Sequence, residues 1–231
     1  MGALVWVKVR ASNIKPVFSA SQEETSKAGA APVEVPVLSD TAIVSSDQAK
    51  RYNIEVHYPT VLLAQHPELA KDANAVIRAF ASDTIATFTK EVDEMDSPNV
   101  PKEFTSDLFV RWSALLLSPT IISIRFDESE YTAGAAHPNS LSRILNYDME
   151  RHLLLQTPDL FASSTRAIPF LSTYTREKLK DILSDQPKEL YDSQALPGTE
   201  PTTENFSVVG ITKTGLLVVF SPYQVAPYAR G

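Results

Sequence analysis

The sequence predicts an α+β fold in which mainly antiparallel sheets carry two principal helices, arranged as two small subdomains. Three observations carry that expectation. Two stretches, 67–95 and 165–184, repeat apolar residues at three- and four-residue steps. Between and after them lie runs that alternate with a period of two. The chain has 231 residues, enough for one generous domain or two small ones.

Taken in order, the opening ten residues are apolar, but Lys8 and Arg10 interrupt them before a signal-peptide core forms. Residues 11–47 are rich in Ser, Ala, Thr, Glu and Pro and read as a linker, so 1–47 is expected to be an N-terminal extension. Val33, Val35 and Val37 alternate within it, a hint of strand that Pro36 demotes to an edge. Order is expected from Tyr52, where Tyr52, Ile54 and Val56 alternate with polar residues until Tyr58-Pro59 ends the run. After His66-Pro67, the residues Leu69, Ala73, Val76, Ile77, Phe80, Thr84, Ile85, Phe88 and Val92 form one helical stripe over 67–95. Two prolines and turn formers in 96–101 then break it.

From Thr105 the period changes. Leu108, Val110, Trp112, Ala114 and Leu116 share one face, and Ile122, Ile124 and Phe126 resume the alternation after Ser118-Pro119, as consecutive antiparallel strands do. A further strand is expected over 141–148, then a turn near Glu150-Arg151 and a short apolar run at 153–155. Ser163-Ser164 offers a cap to a second helix over 165–184, built on Ile168, Leu171, Thr175, Leu179 and Ile182. Residues 186–204 read as a Pro- and acid-rich loop, and 206–211 with 216–220 as a closing hairpin. The expected division is 48–140 for a smaller α+β domain and 141–231 for a second one.

Charge and motif content narrow the function. A net charge of −7 has the wrong sign for sequence-independent binding to phosphate backbones, so nucleic acid is not an expected partner. No stretch reaches the apolar length of a membrane span. The chain has no Cys, and its four histidines, His57, His66, His137 and His152, fall in no metal-binding spacing. Neither a Gly-x-Ser-x-Gly elbow nor a phosphate-binding glycine loop occurs, so no cofactor, metal or catalytic residue is expected. Asp127, Glu128 and Glu130 cluster at a strand end. Such acids are ordinarily solvated, yet they could do acid–base work if burial separated their pKa values, or could steer a basic partner.

Two segments stand apart. Residues 131–139 join two strands with Gly134, Ala135 and Ala136 followed by His137, Pro138 and Asn139, small residues that let backbone approach backbone. Residues 220–229 follow the last strand and hold Pro222, Tyr223, Pro227 and Tyr228. Tyrosines on a rigid exposed loop suit recognition, because they bury much area at little entropic cost; packing back on the sheet is the plainer reading.

Gly134-Ala-Ala-His-Pro-Asn139, the Asn146-Tyr147-Asp148 strand end, Thr157-Pro158-Asp159-Leu160-Phe161 before a helix, and the run from Gly215 through Pro222-Tyr223 and Pro227-Tyr228 to Gly231 recur in one order. In this the chain resembles the extracytoplasmic region of RsiV-type anti-sigma factors, a domain also found in envelope proteins of unknown function and beside peptidoglycan deacetylase domains. The likeness spans 52–231. It implies an exported α+β module that binds without catalysing, its ligand a lysozyme-like protein or a peptidoglycan fragment. The implied ligand-binding residues are Gly134, His137, Pro138, Asn139, Pro222, Tyr223, Pro227 and Tyr228. The alternative is a peptidoglycan-modifying enzyme or accessory domain that uses Asp127, Glu128 or Glu130 with His137.

Three departures from the family pattern carry expectations of their own. Ala135 replaces a second glycine and so questions a left-handed backbone there. No glycine follows the Asn-x-Asp strand. The chain stops at Gly231, where the family continues into another strand, which is expected to leave an edge unpaired.

Overall fold

Residues 5–10, 34–95, 101 and 103–228 are described by the computed structural model, and they form the expected α+β fold. One sheet has the order β1 (Val5–Arg10), β9 (Gly215–Phe220), β8 (Val209–Thr212). The other has six strands in sequence order: β2 (Val37–Asp47), β3 (Tyr52–Leu62), β4 (Ser106–Leu117), β5 (Ile121–Tyr131), β6 (Asn139–Asp148) and β7 (Leu153–Leu154). The long helices are α1 (Pro67–Met95) and α2 (Ser164–Ile182). Two compact units result. The α1 unit is drawn from Pro36–Ala114 and Arg125–Arg143, the α2 unit from Met1–Val35, Leu115–Ile124 and Ile144–Gly231. The 140/141 division read from the sequence falls inside β6, which supplies residues to both units, as do β4 and β5.

In the α1 unit the helix has the expected bounds, and its buried stripe is Ala70, Ala73, Ile77, Ala81, Thr84, Phe88 and Val92. Leu69, one position off that stripe, is exposed. The ring of Phe80 stacks on Phe126 of β5 at 4.3 Å, and Phe88 meets Tyr52 edge-on at 6.1 Å. Asn74 secures the start of the helix to β3. Its amide nitrogen donates to the Val61 carbonyl (2.9 Å) and its carbonyl oxygen accepts from the Val61 N–H (2.7 Å).

Several readings are corrected in this unit. Because α1 crosses over between them, β3 and β4 pair in parallel, from Tyr52↔Ser106 to Val56↔Val110. Pro59 does not end β3. The parallel ladder has stopped at Val56, and a residue without an N–H is tolerated where a strand is paired on one side only. The second half of the supposed linker is the strand β2, in register with β3 from Val37↔Leu62 to Asp47↔Tyr52. Its polar composition hid it, since an edge strand is fixed here by its backbone ladder and by polar side-chain pairs such as Thr41–Thr60 (2.8 Å). The hint at Val33 to Val37 meets coil at 34–36, and residue 33, like 11–32 and 96–100, lies outside the described residues.

The polar side chains of these strands interlock. His57 lies 2.7 Å from Asp40 Oδ2 through Nδ1 and 3.0 Å from Glu55 Oε1 through Nε2, while Trp112 Nε1 donates to Asp40 Oδ1 at 2.6 Å. The bond to Asp40, then that to Glu55, raises the His57 pKa, and the bonds from His57 and Trp112 lower that of Asp40.

In the α2 unit the helix packs Ile168, Leu171 and Leu179 against Val7, Val9, Leu216, Val218 and Phe220 of the three-stranded sheet. Leu183 takes the place expected of Ile182, which is exposed. Every residue from Leu216 to Phe220 is buried, as a central strand covered on both faces requires. The opening apolar segment is therefore a strand, β1, paired with β9 from Val5↔Phe220 to Arg10↔Gly215. It also pairs the flank of β9 opposite β8. The closing hairpin starts at Val209 rather than Phe206, whose ring packs in the core 6.0 Å from Phe220.

Residues 186–204 are not a simple loop. Lys188–Leu190, Tyr191–Ala195 and Leu196–Gly198 are three short helical pieces docked on α2. Arg176 donates to Thr199 Oγ1 (2.9 Å) and to the Leu196 carbonyl (3.0 Å), and Ser172 Oγ donates to the Thr199 carbonyl (2.6 Å). Past β6, Asp148 Oδ1 accepts from the N–H groups of Glu150 and Arg151, and His152 supplies the left-handed residue (φ 56°) in the turn that lacks a glycine.

A buried polar junction joins β8 to β5 and β6. Ser123 Oγ donates to Asn146 Oδ1 (2.7 Å), Asn146 Nδ2 donates to the Val209 carbonyl (2.7 Å), and the Ile211 N–H is 3.1 Å from Ser123 Oγ and 3.2 Å from Asn146 Oδ1. Beside it, a Cβ added to Gly210 would come 2.3 Å from Leu115 Cδ1. Replacing Asn146 by Ala leaves two buried polar groups, the Ser123 hydroxyl and the Val209 carbonyl, short of a partner, and chemical denaturation of that variant is expected to show a loss of about 2–4 kcal/mol.

Candidate functional site

The expected site residues fall in two loops, one in each compact unit, and each loop is described by itself. In the α1 unit, residues 132–138 connect β5 to β6. The N–H of Ala135 donates to the Thr132 carbonyl at 2.9 Å, closing a turn whose third residue, Gly134, has φ 89°. Such a turn needs a left-handed third residue, and glycine adopts that backbone without a Cβ clash. Ala135 takes no positive φ, so its replacement of a glycine strains nothing. The loop is tied to the start of β4 by the Ala133 N–H, which donates to Ser106 Oγ at 2.9 Å. Gly134, His137, Pro138 and Asn139 are all exposed, and His137 Nδ1 lies 2.9 Å from the Pro138 carbonyl oxygen.

Just before that loop the three acids of β5 separate by strand alternation. Asp127 takes Arg125 at 2.8 Å and the Ser142 hydroxyl at 2.5 Å. Glu128 and Glu130 share the parity of Phe126, which stacks under α1. Glu128 is buried and held by Arg143: Nη2 donates to Oε2 at 3.2 Å, while Nε lies 2.9 Å from Oε1 at an angle that makes a charge contact and not a hydrogen bond. Burial raises the Glu128 pKa, and Arg143 pulls it back.

Glu130 is pushed up to about 7, first by desolvation and then by its hydrogen bond with Glu91 of α1. Glu91 of α1 and Glu130 of β5 thus face each other as a carboxyl pair, in which the Glu130 carboxyl can give or take a proton near neutrality. Glu91 was not legible in the sequence as a site residue, because it sits on a helix 39 positions from Glu130 with no local motif linking them.

In the α2 unit, residues 221–228 leave β9 through a second turn of the same kind. The Gln224 N–H donates to the Ser221 carbonyl (3.1 Å), Pro222 is the second residue, and the left-handed third position is filled by Tyr223 at φ 67°. A bulky residue there carries a penalty of about 1–2 kcal/mol. The surroundings hold it in place. Gln224 Nε2 donates to the carbonyls of Gly198 and Asn205, each at 2.9 Å, and its Oε1 accepts from the Ser221 N–H at 3.0 Å. Gly198 permits the contact, since a Cβ there would lie 1.8 Å from the Gln224 carbonyl oxygen. Val225 and Ala226 are buried behind the turn.

The outcome is a rigid presentation of Tyr223, 57% exposed, stacked on the half-buried Tyr228 with ring centroids 5.4 Å apart. Pro222 and Pro227, both half-buried, bracket the pair. The positioning residues Gln224 and Gly198 escaped the sequence reading; the one available signal was a glutamine set between two X-Pro dipeptides.

Comparison with known proteins places these loops in two different matched regions. Residues 45–140 match the family model described as Deacetylase PdaC, and residues 158–231 the one described as Protein of unknown function (DUF3298). The chain is 26% identical over 183 residues to the peptidoglycan-N-acetylmuramic acid deacetylase PdaC of Bacillus subtilis (strain 168). That alignment covers 78% of this chain and 36% of the relative, so the chain spans about a third of that protein's length. Two solved structures have the same fold. A member of the DUF3298 family from Bacteroides fragilis NCTC 9343 gives a TM-score of 0.54 at 15% identity, covering 85% of this chain and 88% of that one. A DUF3298 family protein from Pseudomonas aeruginosa PAO1 gives 0.53 at 14% identity, covering 86% and 87%. These matches correct the expectation that the chain is not an enzyme, because the curated relative is named as a deacetylase and the model over 45–140 carries the same name. What stands is a chain related to PdaC-type and DUF3298 regions in a peptidoglycan context.

Proposed function

We propose that the chain works in peptidoglycan modification outside the cytoplasm, and that it engages the glycan strand through the Tyr223–Tyr228 platform. The observation that supports this most directly is the strain at Tyr223. A type of turn that favours glycine holds instead an exposed aromatic ring, at an energetic cost that folding alone does not reward. Aromatic faces suit sugar rings, whose axial C–H bonds pack on the π surface while the phenol hydroxyls reach ring hydroxyls. The peptidoglycan context comes from the relative named as an N-acetylmuramic acid deacetylase. Among the described residues no helix is long and apolar enough to cross a membrane. The exposed loop bearing Gly134, His137, Pro138 and Asn139 is a second contact in this reading. The lysozyme-like protein suggested by the RsiV resemblance is the competing ligand.

A second reading is favoured by the Glu91–Glu130 pair. A carboxyl titrating near 7 is poised to give or take a proton at physiological pH, as a peptidoglycan-modifying reaction requires. Asp127, on the other parity of β5 and held by Arg125 and Ser142, is not part of that pair.

Two outcomes are expected. Replacing Tyr223 by Gly removes both the ring and the strain, so the variant should unfold no more easily than the parent, by up to about 1 kcal/mol in its favour. It should nonetheless lose most of its retention on insoluble peptidoglycan. Undiminished retention, or binding to lysozyme alone, would count against the glycan platform. For the acid pair the sign follows from linkage: a folded pKa raised from 4.5 to about 7 gives stability that is complete below the unfolded value and is lost as pH rises through 7. Thermal unfolding from pH 4 to 8 should therefore show a steeper decline for the parent than for Glu130→Gln, with His57 and Glu128 supplying the remainder in both; identical pH profiles would refute the raised Glu130 carboxyl.

A further inference from the structure

The α1 unit holds an open, shallow concavity between the end of α1, the β2–β3 turn, the start of β4 and the first residues of the 132–138 loop. Its lining combines two cations, Lys50 and Arg51, an apolar wall of Val92 and Met95, and the hydroxyl residues Ser106 and Thr132. Three features make this a built site. Arg51 is a non-glycine residue at φ 58°, one of three such residues with positive φ among those described. Its carbonyl accepts from the Ser106 N–H at 2.9 Å, and its Nη1 donates to the Pro101 carbonyl at 3.3 Å, so backbone and side chain are both placed. Ser106 in turn accepts from the Ala133 N–H, which couples the concavity to the loop turning at Gly134. Lys50 Nζ lies 2.8 Å from Asp93 Oδ2, with each side chain about half exposed at 49%. An ion pair that open is strongly screened by solvent, so an incoming anion can share the ammonium at little cost.

We infer that this concavity is a carboxylate-binding subsite that takes the C-terminal end of a short peptide with a small apolar side chain. Lys50 and Arg51 receive the carboxylate, Val92 and Met95 flank the side chain, and the hydroxyls of Ser106 and Thr132 face the last amide. The inference deepens the reading above, on which it rests: peptidoglycan carries peptide stems with free carboxyl ends beside its sugars, so one polymer would meet the tyrosine platform and this subsite by different parts.

The test uses the full chain and two probes, N-acetyl-D-alanyl-D-alanine and its C-terminal amide, followed by calorimetry and by amide shifts in the NMR spectrum. The free acid is expected to bind about tenfold more tightly than the amide, with shifts at Ser106, Thr132 and Val92. Lys50→Gln and Arg51→Gln should each weaken acid binding by about tenfold, whereas Asp93→Asn, which removes the competing carboxylate, should tighten it several-fold, to roughly the extent of a lost exposed pair. Equal affinity for acid and amide, no binding of either at millimolar concentration, or acid binding unchanged in both cation variants would overturn the inference. An N-acetylglucosamine oligomer without peptide, read at Tyr223 and Tyr228, separates the two claims: the glycan reading can hold while the subsite fails, and the reverse.

Discussion

The α2 unit depends on the junction where Asn146, Ser123 and the backbone of Val209 and Ile211 share hydrogen bonds at the edge of the core. A buried amide is costly when unsatisfied and directional when satisfied, so this junction admits one register of β8 against β5 and β6. Gly210 reinforces it by letting Leu115 and Ile144 approach the strand backbone. Once β8 is fixed, β9 is fixed by the hairpin, and the turn that begins at Ser221 leaves the sheet in one direction. The exposed tyrosine pair is thus placed by a buried asparagine on a strand far from it in sequence.

The two turns invite comparison because they use the same backbone for different ends. At Gly134 the left-handed position holds the residue that fits it, and the loop follows without strain. At Tyr223 the same position holds an aromatic ring, and the clamp of Gln224 on Gly198 and Asn205 keeps it there.

The α1 unit shows how electrostatics follow from alternation. Asp127, Glu128 and Glu130 are near neighbours in sequence, yet the strand sends the first to one side and the other two under a helix. On the solvent side Arg125 and Ser142 hold Asp127 as an ordinary carboxylate contact. Under the helix, desolvation raises both glutamates, Arg143 restrains Glu128, and Glu91 completes an acid pair with Glu130. The raised Glu130 carboxyl comes from packing here; the sequence offered the acidic cluster but not its partner Glu91.

Residue order alone determined the two helices, the run of strands between them and the identity of the two unusual loops, because each of these depends on local periodicity or local turn chemistry. Short motifs in a fixed order also pointed to a domain found beside peptidoglycan deacetylase domains, and that part of the resemblance agrees with the matched regions. What it left to tertiary structure was everything that depends on a distant partner. Edge strand β2 and the opening strand β1 carry little apolar alternation or lie far from their mate, so only pairing with β3 and β9 made them visible. The parallel alignment of β3 with β4 followed from the crossover through α1, and the helical pieces after Pro187 from docking on Arg176 and Ser172. The strain at Tyr223, the raised Glu130 carboxyl beside Glu91, and the cationic concavity at Arg51 were decided last, since each is a property of atoms brought together by the fold and of no single stretch of chain.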